Sequence, residues 1–355
     1  MNPVRTWMMI RMADTPLMIF LGSLVVIFLM LMLIGDVLAP VLFAIALAYV
    51  LDGVVQLLVH CRLPRLLAVI VVCIGALLIV LFSLLAILPI LVEQTIRVTS
   101  QFPQYMQSLR EAVHQLQMDY VNWINPEHVQ QLFASVASQV NVWGTAIVSY
   151  SLTSIPGLMA LMVYAVLIPV MVFFLLKDKT SILAWGESFL PHDRSLLSRV
   201  WKELDMQIGN YIRGRFWESL LVGFSMFVVY AMMGHQYGLL LGVLTGISVW
   251  IPFVGAALVT IPVVILSFFQ WGFTDTCMYA IMAYAVIQLI DANVVIPWLF
   301  SEVVNLHPVA IIVAVLFFGN VWGILGVFIA IPMAALVQSV LMIVAERKPK
   351  VAAPT

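Results

Sequence analysis

The sequence predicts an all-α fold: a polytopic helical membrane protein with about eight spans, whose C-terminal half contains broken or re-entrant helices. Composition carries the first part. Of 355 residues, 64% are hydrophobic and 9% charged, with mean hydropathy +1.11, whereas soluble domains carry roughly 25% charged residues. An internal repeat carries the second part. The stretch Gly246-Ile-Ser-Val-Trp250-Ile-Pro252-Phe-Val-Gly255, followed by Ile261-Pro262, is answered by Gly319-Asn-Val-Trp322-Gly-Ile-Leu-Gly326, followed by Ile331-Pro332. In both copies Gly and Pro cut the apolar run, and the runs before the cuts, about 12 to 14 residues, are too short to span a bilayer. Such paired interruptions point to a secondary transporter, because interrupted helices expose backbone dipoles that hold a solute near the bilayer midplane.

A span needs about 20 apolar residues, and the runs 16–35, 38–59, 66–92, 156–176, 217–234 and 278–300 meet that length. The first exceeds a signal-peptide core and reads as a retained span. The broken regions 237–271 and 307–345 supply two passes and a hairpin that enters and returns; ten full spans is the other count. The chain therefore divides into N-terminal spans (1–92), an extracytoplasmic amphipathic segment (93–155), a span (156–176), a cytoplasmic amphipathic segment (177–216), the C-terminal membrane region with the repeat (217–345) and a cytoplasmic tail (346–355). In 93–155, Leu109, Val113, Leu116, Tyr120 and Trp123 recur at helical spacing. A second stripe, Val129 to Trp143, follows the start signal Asn125-Pro126-Glu127. Both stripes predict helices lying on the membrane or on a partner subunit. In 177–216 the stripe Leu196, Val200, Leu204, Ile208 and Tyr211 follows Pro191-His192-Asp193.

Lys and Arg favour the cytoplasmic side of short loops. Arg5, Arg11, Arg62, Arg65, Lys177, Lys179, Arg347, Lys348 and Lys350 all fall inside when both termini are cytoplasmic. Net charge is −1, so there is no basic field for nucleic acid. Cys61, Cys73 and Cys277 lack metal-site or disulfide spacing and read as packing residues, and no metal or cofactor is expected. A phosphate loop, HExxH and GxSxG are missing from the sequence, which argues against an enzyme and against ATP drive by this chain.

The polar cluster at membrane depth is Gln288, Asp291 and Asn293. Ionisable groups there cost several kcal/mol unless paired or wetted, so the default reading is a proton, ion or substrate path. Gln288 and Asp291, three apart, share a helix face; the alternative is a carboxylate that only cross-links helices. Glu302, Asn305 and His307 follow at the end of that span, as proton-handling groups or as a plain interfacial turn. Asp52-Gly53 reads as interfacial. Trp250 and Trp322, at matching places beside the breaks, line a solute path, brace the hairpin tips or anchor at the interface. Pro89 and Pro169 lie inside spans and free backbone carbonyls.

Beyond these local readings, Val170-Met-Val-Phe-Phe-Leu-Leu-Lys-Asp-Lys179, Asn210-Tyr-Ile-Arg-Gly214, Ile251-Pro-Phe-Val-Gly255, Leu299-Phe-Ser-Glu302, Asn305-Leu-His-Pro308 and Phe328-Ile-Ala-Ile-Pro332 together resemble the autoinducer-2 exporter family of bacterial inner-membrane proteins. The resemblance covers nearly the whole chain. It implies an all-helical, homo-oligomeric exporter embedded in the lipid bilayer of the inner membrane, in a family whose members are linked to quorum-signal export or to sodium(lithium)/proton antiport. The expected substrate path then comprises Gln288, Asp291, Asn293, Glu302, Asn305, His307, Trp250, Pro252, Gly255, Gly319, Trp322, Gly326 and Pro332. A scaffold or sensor that transports nothing is the reading from a different class.

The orientation has a direct test. A cysteine at Ser138 should react with an impermeant thiol reagent in spheroplasts, and one at Ser198 only after permeabilisation, in a background without native cysteines. The opposite labelling pattern overturns the assignment.

Overall fold

The computed structural model describes residues 15–119, 155–188, 195–252, 254–300 and 306–346. Described residues outside turns are helical. Helix α1 (Thr15–His60) is 46 residues long, about 69 Å at 1.5 Å per residue. Where the hydrophobic pattern divides two spans at 35 and 38, the helix runs on through Gly35, Asp36 and Pro40. The reason is local: a glycine inside a helix costs only about 1 kcal/mol, and two residues offer little room for a reversal. Its Leu38–His60 portion is long and apolar enough to cross a membrane.

After a turn containing Arg62 (φ 69), helix α2 (Arg65–Phe82) continues through a π-helical turn, Ser83–Ile87, into α3 (Leu88–Asp119). Pro89 explains the π turn. It lacks the amide that would bond four residues back, and the amide of Leu88 instead reaches five back to the Ser83 carbonyl. The expected amphipathic segment from 93 onward is therefore the unbroken extension of a spanning helix and not a separate helix on the surface. Its Tyr120 and Trp123, and the second stripe, lie outside the described residues. Leu78, Phe82 and Leu85 of this long helix are exposed, as befits a face turned to hydrocarbon.

Helices α4 (Ile155–Lys177, carrying Pro169) and α5 (Lys179–Ser188) come next. Ala44, Ala48 and Val55 of α1, Ala68, Val69 and Val72 of α2, and Val172 and Leu176 of α4 form one buried cluster. Small residues here let the helix axes approach, which is how helices associate where lipid removes the hydrophobic drive. The expected interfacial Asp52 is buried at 6% exposure: Lys179 pairs with it at 3.1 Å and the amide of Gln56 donates to it at 3.0 Å. Of the cysteines, Cys277 is buried and Cys73 half-buried, but Cys61, read from sequence as a packing residue, is exposed.

Helix α6 (Ser195–Met232) contains the expected boundary at 216/217 in its interior; the amphipathic stripe and the apolar run are one helix of 38 residues. It turns at Gly234 (φ 73) into the short helix α7 (Gly238–Ser248), which returns along it. Gly238, Gly242 and Gly246 recur every fourth residue of α7 and set this contact. A β-carbon on Gly242 would lie 2.8 Å from the Gly223 carbonyl oxygen, and one on Gly246 would lie 2.8 Å from that of Ser219. The Ser219 hydroxyl donates to the Gly246 carbonyl at 2.7 Å. Helices α8 (Val254–Trp271), α9 (Asp275–Ile290) with its π turn Asp291–Val295, α10 (Ile296–Phe300) and α11 (Pro308–Glu346) complete the chain.

The turn after α6 is held by aromatic packing. His235 stacks on Tyr230 at 4.8 Å and meets Trp271 edge-on at 5.0 Å. Its Nδ1 accepts from the Tyr237 amide at 3.1 Å, which leaves the proton on Nε2, 3.4 Å from the Ser267 hydroxyl. Burial pushes the His235 pKa down from its ordinary value to about 4.

Two predictions follow from these contacts. Gly242→Ala forces a methyl against backbone that has no room to yield, and should cost about 1 to 3 kcal/mol of stability in detergent unfolding; an unchanged midpoint refutes the close approach. Because folding suppresses protonation of His235, its stabilisation is complete above the unfolded pKa of about 6.5 and is lost as pH falls towards 4, by up to about 1.4 kcal/mol per pH unit. His235→Phe should flatten that acid limb of the unfolding midpoint against pH.

Candidate functional site

Both members of the sequence repeat are broken. The first breaks between Ser248 and Val254, and the second at Gly323, whose φ of 60 and ψ of −136 interrupt α11. Hairpin 1 is thus α7 and α8; hairpin 2 is the two halves of α11. Gly255 and Gly326 occupy equivalent places: a β-carbon on either would stand 1.8 Å from a carbonyl oxygen, that of Ser248 or of Phe318. Only glycine lets the returning arm pass so close to the end of the arriving one. The two hairpins open at opposite ends of α9–α10. His235 packs on Trp271 at the open end of hairpin 1, and Leu306 packs with Phe300 and Ile311 at that of hairpin 2. They overlap in between, where the Trp250 ring meets Phe328 at 5.0 Å.

The last link is on α9. Pro297 has no amide, and the amide of Ile296 bonds five residues back to the Asp291 carbonyl, giving a π turn just before the proline, as at Pro89. Asp291 begins that turn, about 24 Å along the helix from Asp275, and is buried at 6% exposure. Around it lies a cavity of about 500 Å³, within the usual range of about 300 to 1,000 Å³ for small-molecule sites. Its polar wall is Tyr211, Arg215 and Glu218 of α6 with Gln288 and Asp291 of α9; hairpin 1 adds Ser248, Val249 and Pro252, and hairpin 2 adds Ile311 and Ile331.

The charges are arranged around one guanidinium. Nη1 of Arg215 donates to both Glu218 oxygens at 2.9 Å and to the Val249 carbonyl of the hairpin 1 tip at 3.2 Å. The Glu218 side chain is 1% exposed and that of Arg215 12%. Arg215 lies 5.0 Å over the Phe300 ring, and Phe300 reaches it because Gly214 leaves no side chain in the way. Four buried polar atoms make no hydrogen bond among the described residues: Tyr211 Oη, Arg215 Nε, Gln288 Nε2 and Asp291 Oδ1. All four residues line this one cavity. Buried polar groups are normally paired, so four together single out this cavity as the candidate site.

The structure brings together Asp291, Gln288 and Pro252 of the residues named from sequence, with Gly255 behind the tip. Asn293 is exposed on the other side of the helix and donates back to the Leu289 carbonyl at 2.8 Å. His307 is exposed and accepts from the Val309 amide at the start of α11. Glu302 and Asn305 lie outside the described residues. Trp250 bridges the hairpins, whereas Trp322 stacks within hairpin 2 on Phe318 at 5.5 Å. Gly319 and Gly326 shape that hairpin, and Pro332 lies in its returning arm. Sequence reasoning missed Arg215 and Glu218. Their signal was an Arg and a Glu three apart entering an apolar run; the boundary drawn at 216/217 separated them.

The sequence profile described as AI-2E family transporter matches residues 21–346. This chain belongs to the AI-2E transporter family. PerM of Escherichia coli (strain K12), named as a permease, is 39% identical over 338 residues, covering 94% of this chain and 95% of PerM. YueF of Bacillus subtilis (strain 168), named as a transport protein, is 26% identical over 84% of this chain and 82% of its own. The AI-2 transport protein TqsA of Escherichia coli (strain K12) is 20% identical over 91% of this chain and 90% of its own. The cavity and both hairpins lie within the matched region.

Arg215→Met removes the only cation among the described residues lining the cavity and leaves Glu218 buried without its partner. A loss of about 3 to 5 kcal/mol is expected, with much of it recovered in Arg215→Met/Glu218→Leu. Unfolding in detergent measures both; equal stabilities of the single and double variants contradict the pairing.

Proposed function

We propose that this AI-2E family member is a proton-coupled secondary transporter of the bacterial inner membrane, exporting a small solute or signal through the cavity between the two broken hairpins. The observation that carries the reading is that one buried arginine ties a carboxylate to the tip of a broken helix, beside a second carboxylate without a hydrogen-bond partner on one oxygen. Membrane transport itself accords with the family.

The mechanism follows from having one guanidinium for two carboxylates. With Asp291 protonated, Arg215 is held by Glu218 and by the Val249 carbonyl, where a cation suits the negative end of half-helix α7, and hairpin 1 stays shut. When Asp291 loses its proton it competes for the same guanidinium, the bond to Val249 weakens, and the tip is free to move. Hairpin 2, entering from the opposite end, closes the path on its side. Proton binding and gate position are therefore linked through Arg215, the linkage that secondary transport requires. In this reading the C-terminus and the 307 end of the bundle face the cytoplasm; the expected cytoplasmic N-terminus does not fit, because the unbroken α1 ends at His60 on that side and so starts on the other. Copies of the chain associate as a homo-oligomer in this reading.

Asp291→Asn keeps shape and most hydrogen-bonding capacity but removes the titration. In proteoliposomes it should abolish movement driven by a pH gradient while expression and unfolding midpoint stay normal. Undiminished gradient-driven transport by this variant would refute the coupling role.

A further inference from the structure

Resting on that transport reading, we infer that the cavity is an organic-cation site, built for a small protonated amine that also carries an oxygen or other hydrogen-bond acceptor. Three observations support it. First, the charged groups of the described lining are Arg215, Glu218 and Asp291, leaving a surplus of one negative charge when both carboxylates are ionised. Arg215 donates to Glu218 through two 2.9 Å bonds and to Val249 through a third, and one guanidinium cannot neutralise both carboxylates. A surplus charge at membrane depth is costly without a counter-charge, and its natural occupant is a single positive charge. Second, Asp291 and Tyr211, 6% and 2% exposed, each present an unpartnered oxygen to the cavity. A carboxylate oxygen accepts, and an ammonium has three protons to donate. Third, Arg215 Nε and Gln288 Nε2 are unpartnered donors on the same wall, so the ammonium's far side should offer an acceptor. Ile251, Pro252, Ile296, Phe300, Ile311 and Ile331 are among the apolar residues of the lining, which favours a carbon skeleton over a bare hydrated ion.

The site selects by competition. A proton and the ammonium neutralise the same Asp291 oxygen, so binding one expels the other, and an amine moving one way returns a proton the other way. The groups that share the cavity with Asp291 are Tyr211, Arg215 and Glu218 from α6, Ser248 and Pro252 from hairpin 1, and Ile311 and Ile331 from hairpin 2; Gln288 lies one turn back on its own helix. Among these, Glu218 and Asp291 are the carboxyl groups.

The test uses matched pairs on the purified full chain in detergent: tyramine against 4-ethylphenol, and ethanolamine against ethylene glycol. Calorimetry and unfolding midpoints should show each amine binding about tenfold or more tighter than its neutral counterpart, a difference of about 1.4 kcal/mol. The preference should fade as pH is lowered and the proton competes. Asp291→Asn should remove the preference, bringing the amine's affinity to within about twofold of its neutral counterpart's. Equal binding of amine and neutral counterpart by the native chain overturns the inference by itself, whether or not the variant folds. A proteoliposome arm separates this inference from the transport reading. Amine binding without proton-driven amine movement keeps the site and overturns the transport reading. Proton-driven movement of a neutral solute by a chain without amine preference does the reverse.

Discussion

The structure of the membrane half depends on how a single guanidinium is shared. In hydrocarbon a charge or a backbone carbonyl without a partner costs several kcal/mol, and Arg215 answers both needs at once. It neutralises Glu218 and occupies the Val249 carbonyl exposed where α7 stops. The broken end of a half-helix carries partial negative charge, so the same bond that satisfies the carbonyl suits the local field. Moving this side chain alters the tip of hairpin 1 and the charge of the cavity together.

Close backbone approach is the second requirement, and glycine supplies it. Gly242 and Gly246 lay α7 against Gly223 and Ser219 of α6, and Gly214 admits Phe300 beneath Arg215. Gly255 and Gly326 let each hairpin fold back within contact of its own carbonyls. In a membrane the drive for helix association is packing and hydrogen bonding, so such contacts do more than save space. They allow a helix of 11 residues, too short to span, to be held along a helix of 38.

Proline sets the orientation of the key side chain. At Pro89 and Pro297 the missing amide is accommodated by a π turn just upstream. At Pro89 the turn falls in a long helix where Leu84, Leu85 and Leu88 are exposed. At Pro297 the widened turn begins with Asp291, a carboxylate placed at a local irregularity of the backbone and turned towards α6. Asn293, two residues on, is carried to the opposite side.

Sequence alone determined what depends on local composition and spacing. Hydropathy fixed a helical membrane protein, the Gly and Pro of 246–262 and 319–332 marked both broken hairpins, and spacing of three placed Gln288 and Asp291 on one face. It did not reveal that the Asp52 carboxylate is buried, because its partner Lys179 lies 127 residues away. Nor did it reveal that α1 runs unbroken past Gly35, since a lone helical glycine and a turn look alike in composition. The pairing of Arg215 with Glu218 was legible as an i, i+3 spacing, but its meaning was not. Only the tertiary structure brings α6 beside α9 and both hairpins, and a charged pair near the start of a span becomes a site only when a second carboxylate and a broken helix end are packed against it.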